Sequence, residues 1–245
     1  MEKMLHLAAQ YLAAAGINFV PKKEDDSHTN LGFSVETGLL SSRSLNGAGD
    51  TLSLDYNDFS LHWGTTEPFP LDGRTHDETL QWIVKKVQDA GIEKPYNYQF
   101  HYDLPYEIFS DFKFQLLDMT RLHELRELRV LAQEVLTAFM AQQQLTSEIR
   151  IWSHHFDTGG FTPLGDGTGR AVGFGLSIPD TLVNDHYFYI SGYQGHDGLD
   201  TSSFPDLTKG TWHNEGFKGA VLPTKGIDLA TATTFFNEAL TAYKN

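Results

Sequence analysis

The chain has 245 residues, with 32 Asp and Glu against 18 Lys and Arg for a formal net charge of −14, and it has no cysteine. That balance, with no contiguous basic stripe, excludes nucleic acid and anionic membrane surfaces as main partners. The absent cysteine excludes a disulfide framework, thiolate metal sites, iron–sulfur clusters and a Cys nucleophile. At 40% hydrophobic and 20% charged residues the chain can build a core, and no apolar run approaches the ~20 residues of a spanning helix.

In chain order, Leu5, Ala8, Leu12 and Ala15 share one helical face and Gly16 stands where a C-cap belongs, which predicts an amphipathic first helix. His6, Gln10 and Tyr11 interrupt the apolar stretch, so this segment reads as a helix rather than a cleaved signal, and the cytoplasm is the expected location. Residues 21–30 form a polar loop, followed by extended stretches at 31–35 and 39–45. DTLSLDYNDFSLHW alternates, with Leu52, Leu54 and Tyr56 on one face and Phe59, Leu61 and Trp63 on the next. A two-residue turn at Asn57-Asp58 would join them as a hairpin.

Thr75 and Glu78 have capping-box spacing ahead of a helix with an expected stripe of Leu80, Ile83, Val84 and Val87 and a stop at Gly91. YNYQFHYD alternates again, with Tyr96, Tyr98, Phe100 and Tyr102 opposite Asn97, Gln99, His101 and Asp103. Leucines recurring every three or four residues predict a long central helix over about 118–144. Three strands follow, at EIRIWSHHFD, Ala171–Ile178 and HYFYISGY, with a glycine-rich loop over 159–175. A long polar loop at 194–219, a short strand at GAVLP and a last helix capped by Asp228 complete the chain. Strands come in runs and helices are few. The expected class is α+β, a mostly antiparallel sheet packed by a long central helix and by N- and C-terminal helices. It is expected as one domain, 1–245, with two candidate similar halves, 1–115 and 116–245.

Histidine is the residue to follow: 11 occur in the chain, and imidazole is both the commonest metal ligand and the usual general base near neutral pH. If WSHHFD is a strand, Trp152, His154 and Phe156 share one face and His155 and Asp157 the other. His155 with Asp157 then forms either a metal pair or a base with its orienting carboxylate. FHYD repeats the spacing. If the two strands are neighbours, His101, Asp103, His155 and Asp157 converge as an N/O donor set for one divalent ion such as Zn, Mn, Fe or Ni. The plainer alternatives are a buried histidine bonded to a carbonyl and a surface His–Asp pair. His196 with Asp197, and His213 with Glu215 beside Trp212, are further polar clusters in the long loop. The phosphate-loop, dinucleotide, H-E-x-x-H, G-x-S-x-G and EF-hand patterns are all absent.

W-S-H-H-F-D, V-G-F-G-L-S-I-P-D, H-Y-F-Y-I and W-H-N-E-G-F-K-G-A-V-L together resemble an uncharacterised bacterial protein family. Its blocks run W-P-x-H-F-D, G-x-S-P-G-D, P-Y-x-Y-V and a Trp followed by G-A-x-L. The resemblance covers roughly residues 75–240 and implies a shared domain, with Trp152, His155, Phe156, Asp157, Asp180 and Tyr189 at matching positions; it implies no activity. Ser153 stands where the pattern has Pro, and S-I-P-D where it has S-P-G-D. Three functions stay open: a small-molecule protein with an aromatic- and His-lined pocket (Trp152, His154, Phe156, Tyr189, His213), a metal-dependent hydrolase centred on His155 and Asp157, and a structural or partner-binding protein. The oligomeric state is left open.

Overall fold

The computed structural model describes residues 1–104 and 108–245. It is α+β, with four α-helices and two antiparallel sheets among the described residues. The chain divides into two compact units. One comprises Met1–Arg129 with Ile151–His154, the other Val130–Arg150 with His155–Asn245.

The first unit is built on α1 (Glu2–Phe19), which packs against β3. Its antiparallel sheet runs in chain order: β1 (Gly32–Phe33), β2 (Leu39–Ser41), β3 (Leu52–Asp55), β4 (Ser60–Trp63) and β5 (Phe69–Pro70). α1 is not amphipathic. Nearly every side chain from Leu5 to Asn18 is buried, His6 and Gln10 included. Nor does it stop at Gly16. A Cβ there would lie 3.0 Å from the His28 carbonyl oxygen and 3.2 Å from the Thr29 Cα, so this glycine serves a close approach of the following loop. The helix ends at Val20, extended at φ −87° and ψ 138° as a residue before proline prefers.

β3 and β4 pair from Leu52–Trp63 to Asp55–Ser60. The hairpin loop is therefore 56–59 rather than a two-residue turn, and Phe59 takes a left-handed φ of 59°. α2 (His76–Asp89) carries the expected capping box. Its buried face is His76, Thr79, Ile83 and Val87, so the apolar stripe is rotated and Val84 is exposed.

In the second unit, α3 (Met119–Gln143, entering from the first) and α4 (Leu229–Lys244) accompany strands in the order β11-β12-β9-β8-β7, with β10 on β9. Those strands are β7 (Asp157–Pro163), β8 (Arg170–Ser177), β9 (Tyr187–Gln194), β10 (Asp197–Gly198), β11 (Thr211–His213) and β12 (Gly219–Pro223). Alternate residues Val172, Phe174 and Leu176 of β8 join Phe188 and Ile190 of β9 in the core. Phe139 of α3 and Phe236 of α4 fill the same core. Each such side chain contributes roughly 1.5–3 kcal/mol of burial.

The predicted strand EIRIWSHHFD is two pieces. β6 (Arg150–Trp152) ends in a turn over 153–156 before β7 begins. Phe156, fully buried with φ 60°, makes the reversal. The glycine-rich loop shrinks to 164–169, because Gly159, Gly160, Gly173 and Gly175 lie inside β7 and β8.

Candidate ligand pocket

A cavity of about 220 Å³ opens in the first unit, lined by Asp25, Asp26, Thr29, Asn30, His101, Tyr102, Trp152 and His154. One wall is the loop after α1. Asp26 adopts φ 53°, a left-handed conformation that Asp tolerates. Its carbonyl then accepts both the Thr29 amide and the Thr29 hydroxyl at 3.0 Å, closing a 3₁₀ turn over Ser27–Thr29. Asp25 Oδ1 accepts the Ser27 amide at 3.1 Å. These bonds from Ser27 hold the Asp25 carboxyl below its usual range.

The opposite wall is tied to the same frame. Leu31 and Ile151 exchange backbone hydrogen bonds of 3.0 and 2.8 Å, which sets Trp152 beside the loop. One residue on, the Ser153 carbonyl accepts from His6 Nε2 at 2.8 Å and from Gln10 Nε2 at 2.9 Å. The carbonyl can only accept, so His6 carries its proton on Nε2. Burial lowers the His6 pKa to about 4, so the ring is neutral at pH 7. Tyr102 donates to Gln10 Oε1 at 2.8 Å, and burial pushes its phenol up to about 12.

The rings form a continuous wall. Centroids of His28 and His101 are 6.4 Å apart, His101 and Tyr102 5.1 Å, Tyr102 and His154 5.6 Å, and His154 and Trp152 6.3 Å. His101 Nε2 lies 3.5 Å from Asp26 Oδ2. Burial lowers the pKa of His28, with Asp26 acting against it and His101 with it.

Of the expected ligand residues, Trp152 and His154 line this cavity, and so does His101, expected as a metal donor. The segment 96–102 is not a strand. Its alternation nonetheless persists, with Tyr98, Phe100 and Tyr102 in ring contact and Asn97, Gln99, His101 and Asp103 exposed. The two segments do adjoin, since the Tyr102 hydroxyl lies 3.3 Å from Ser153 Oγ and the Tyr102 ring 5.6 Å from that of His154. But 100–103 is not a strand and 153–156 is a turn, so the paired-strand geometry expected to align His101, Asp103, His155 and Asp157 is absent.

Phe156, Tyr189 and His213 belong to the second unit. Phe156 is a core anchor, Tyr189 donates its hydroxyl to Asp157, and His213 Nε2 lies 3.1 Å from Thr211 Oγ1. Burial, with the Asp157 carboxylate next, raises the Tyr189 pKa far above its ordinary value, so the phenol stays a donor. Asp157 is buried, whereas His155 is exposed in the turn. Asp25, Asp26, Thr29 and Asn30 were not foreseen as site residues; the adjacent acids in a loop opened by Pro21 were their only local sign.

Among the described residues, the His/carboxylate group that brings three donor atoms within 4.8 Å of one another is Asp55, Asp58 and His62. Ser60 Oγ lies 3.0 Å from His62 Nε2, and Asp55 Oδ2 lies 3.6 Å from that same nitrogen. A nucleophilic relay needs the carboxylate on the opposite ring nitrogen. Ser60 is moreover buried and donates to Asp58 at 2.5 Å, so this is not a serine triad.

Comparison with family models, curated proteins and solved structures finds no match. No helix among the described residues is long and apolar enough to cross a membrane.

Proposed function

We propose that this chain is a small-molecule-binding protein whose ligand seats in the pocket bounded by the Asp25–Asn30 loop and the rings of His101, Tyr102, Trp152 and His154. The observation that carries this reading is a concave site combining a ring wall with two adjacent carboxylates on a hydrogen-bonded frame. The backbone that carries Trp152 and His154 is held in place by the Leu31–Ile151 bridge and by the bonds to the Ser153 carbonyl. Assignment to the cytoplasm and to the uncharacterised bacterial family belongs to the same proposal, and the quoted blocks support the family. The hydrolase reading draws no support from His155 and Asp157, since one is solvent-exposed and the other is buried against Tyr189.

The test is a chemically diverse fragment library screened by ligand-observed NMR against the parent, Trp152→Ala and, as a control, Trp82→Phe. Each variant is first checked for a native circular dichroism spectrum. Hits that bind the parent and Trp82→Phe but lose binding in Trp152→Ala support the pocket. Hits that bind Trp152→Ala as well as the parent overturn it.

A further inference from the structure

We propose that the ligand of this pocket is a small organic cation of the quaternary-ammonium type, an inference that rests on the pocket being a binding site. The lining has a definite charge character. Two adjacent carboxylates, Asp25 and Asp26, face the cavity, and no Lys or Arg lines it. Lys23 acts on Asp25 from the same loop but does not line the cavity, so an anionic ligand would meet the two acids first. A cation is favoured locally by the two acids and at longer range by the net charge of −14.

The carboxylates are only partly engaged. Asp25 Oδ1 takes the Ser27 amide. The ionic partner of Asp26 among the described residues is His101, at 3.5 Å, and that pair is an ion pair only when the imidazole is protonated. A ligand cation brings Asp26 a permanent positive charge, whatever the protonation of His101. Tyr102 and Trp152 line the same cavity, and aromatic faces carry negative potential that attracts a weakly hydrated cation. A methylated ammonium suits this combination better than a bare amine. Its methyl groups pack on rings, and its charge is diffuse enough to be met by carboxylates without a full set of directed acceptors. The volume of about 220 Å³ lies below the roughly 300–1,000 Å³ of drug-sized sites. It accommodates a headgroup-sized molecule and not a nucleotide.

The experiment is a calorimetric and NMR titration of the full chain at pH 7.5 and low salt with three probes. These are choline, its uncharged carbon isostere 3,3-dimethyl-1-butanol, and acetate. The same titrations are made on Asp26→Asn, Trp152→Phe and, as a distant control, Asp55→Asn. Asn tolerates the left-handed backbone at position 26 as Asp does. The expected result is saturable choline binding at least tenfold tighter than the isostere, no acetate binding, a loss of tenfold or more in Asp26→Asn and in Trp152→Phe, and no change in Asp55→Asn. Isostere binding equal to choline, with both weakened in Trp152→Phe, overturns the cation class and leaves the pocket standing. Acetate binding overturns the charge argument. Choline binding unchanged in both Asp26→Asn and Trp152→Phe places it elsewhere and overturns the inference. So does the absence of saturable choline binding, and the pocket itself is then decided by the fragment screen.

Discussion

Replacing His6 with Gln should remove much of the protein's acid sensitivity between pH 7 and pH 5. His6 sits on the buried α1 and donates to the Ser153 carbonyl at 2.8 Å. Burial is the largest cause of its lowered pKa, about 4 against an ordinary 6.5; the Ser153 bond acts in the opposite direction. The unfolded chain therefore takes the proton first as pH falls. The native state binds fewer protons throughout the interval, and stability declines from about pH 6.5 down to about pH 4, below which both states are protonated. At about 1.36 kcal/mol per unit the full effect is ~3 kcal/mol, of which about 2 kcal/mol is gone by pH 5. Urea unfolding followed by tryptophan fluorescence reads this directly, because Trp63, Trp82 and Trp152 lie in the same unit as His6. With a slope of roughly 2 kcal/mol per molar urea, the parent midpoint should fall about 1 M further than the variant's between pH 7 and pH 5. His28 and His76, also lowered by burial, titrate equally in both proteins and cancel in the comparison. Equal losses in parent and variant would refute the assignment of a neutral, buried His6.

Tyr189→Phe removes the donor that Tyr189 gives to the buried Asp157, and should cost about 2 kcal/mol. Urea unfolding followed by circular dichroism checks this, and an unchanged midpoint contradicts the expectation. Gly175→Ala would place a Cβ 2.4 Å from the Thr158 carbonyl oxygen and 2.9 Å from the Tyr189 hydroxyl, so thermal unfolding should show a loss of roughly 1–3 kcal/mol. Gly47→Ala, with nothing within 4 Å, should stay within about 0.5 kcal/mol of the parent. The metal content of the parent and of the His155→Ala, Asp157→Ala double variant, both folded and purified without a tag, should be equal. One equivalent lost from the variant would restore those residues as ligands.

The elements legible in the sequence are those whose signal is local. The α2 start follows from Thr75 and Glu78 alone, since the capping box is a contact between residues three apart. The Asp228 cap of α4 is of the same kind. The α3 repeat survives because one face of a long helix is enough to reveal it. By contrast, α1 is enclosed by the sheet and loops of its unit, so its buried polar residues carry no periodic sign. Gln10 looks like a surface residue until Ser153, 143 positions away, supplies the acceptor. The pocket divides in the same way. Trp152, His154 and His101 stand out by residue type, whereas Asp25 and Asp26 belong to a loop whose role depends on the distant Leu31–Ile151 bridge.

The glycine-rich stretch shows why composition misleads most where packing is tightest. Glycines at 159, 160, 173 and 175 suggest a loop because glycine weakens a strand. In β7 and β8 they are strand residues that make room for side chains. A Cβ at Gly159 would lie 3.0 Å from the Tyr189 hydroxyl, and one at Gly175 2.9 Å from it. The cleared space lets the Tyr189 phenol lie across the strands to reach Asp157, the residue that opens β7 after the left-handed turn at Phe156. The W-x-H-x-F-D block is therefore not one strand with two chemical faces. Trp152 and His154 line a pocket in the first unit, Phe156 and Asp157 anchor the second, and the reversal at 153–156 separates a candidate binding site from a structural hydrogen bond within six residues.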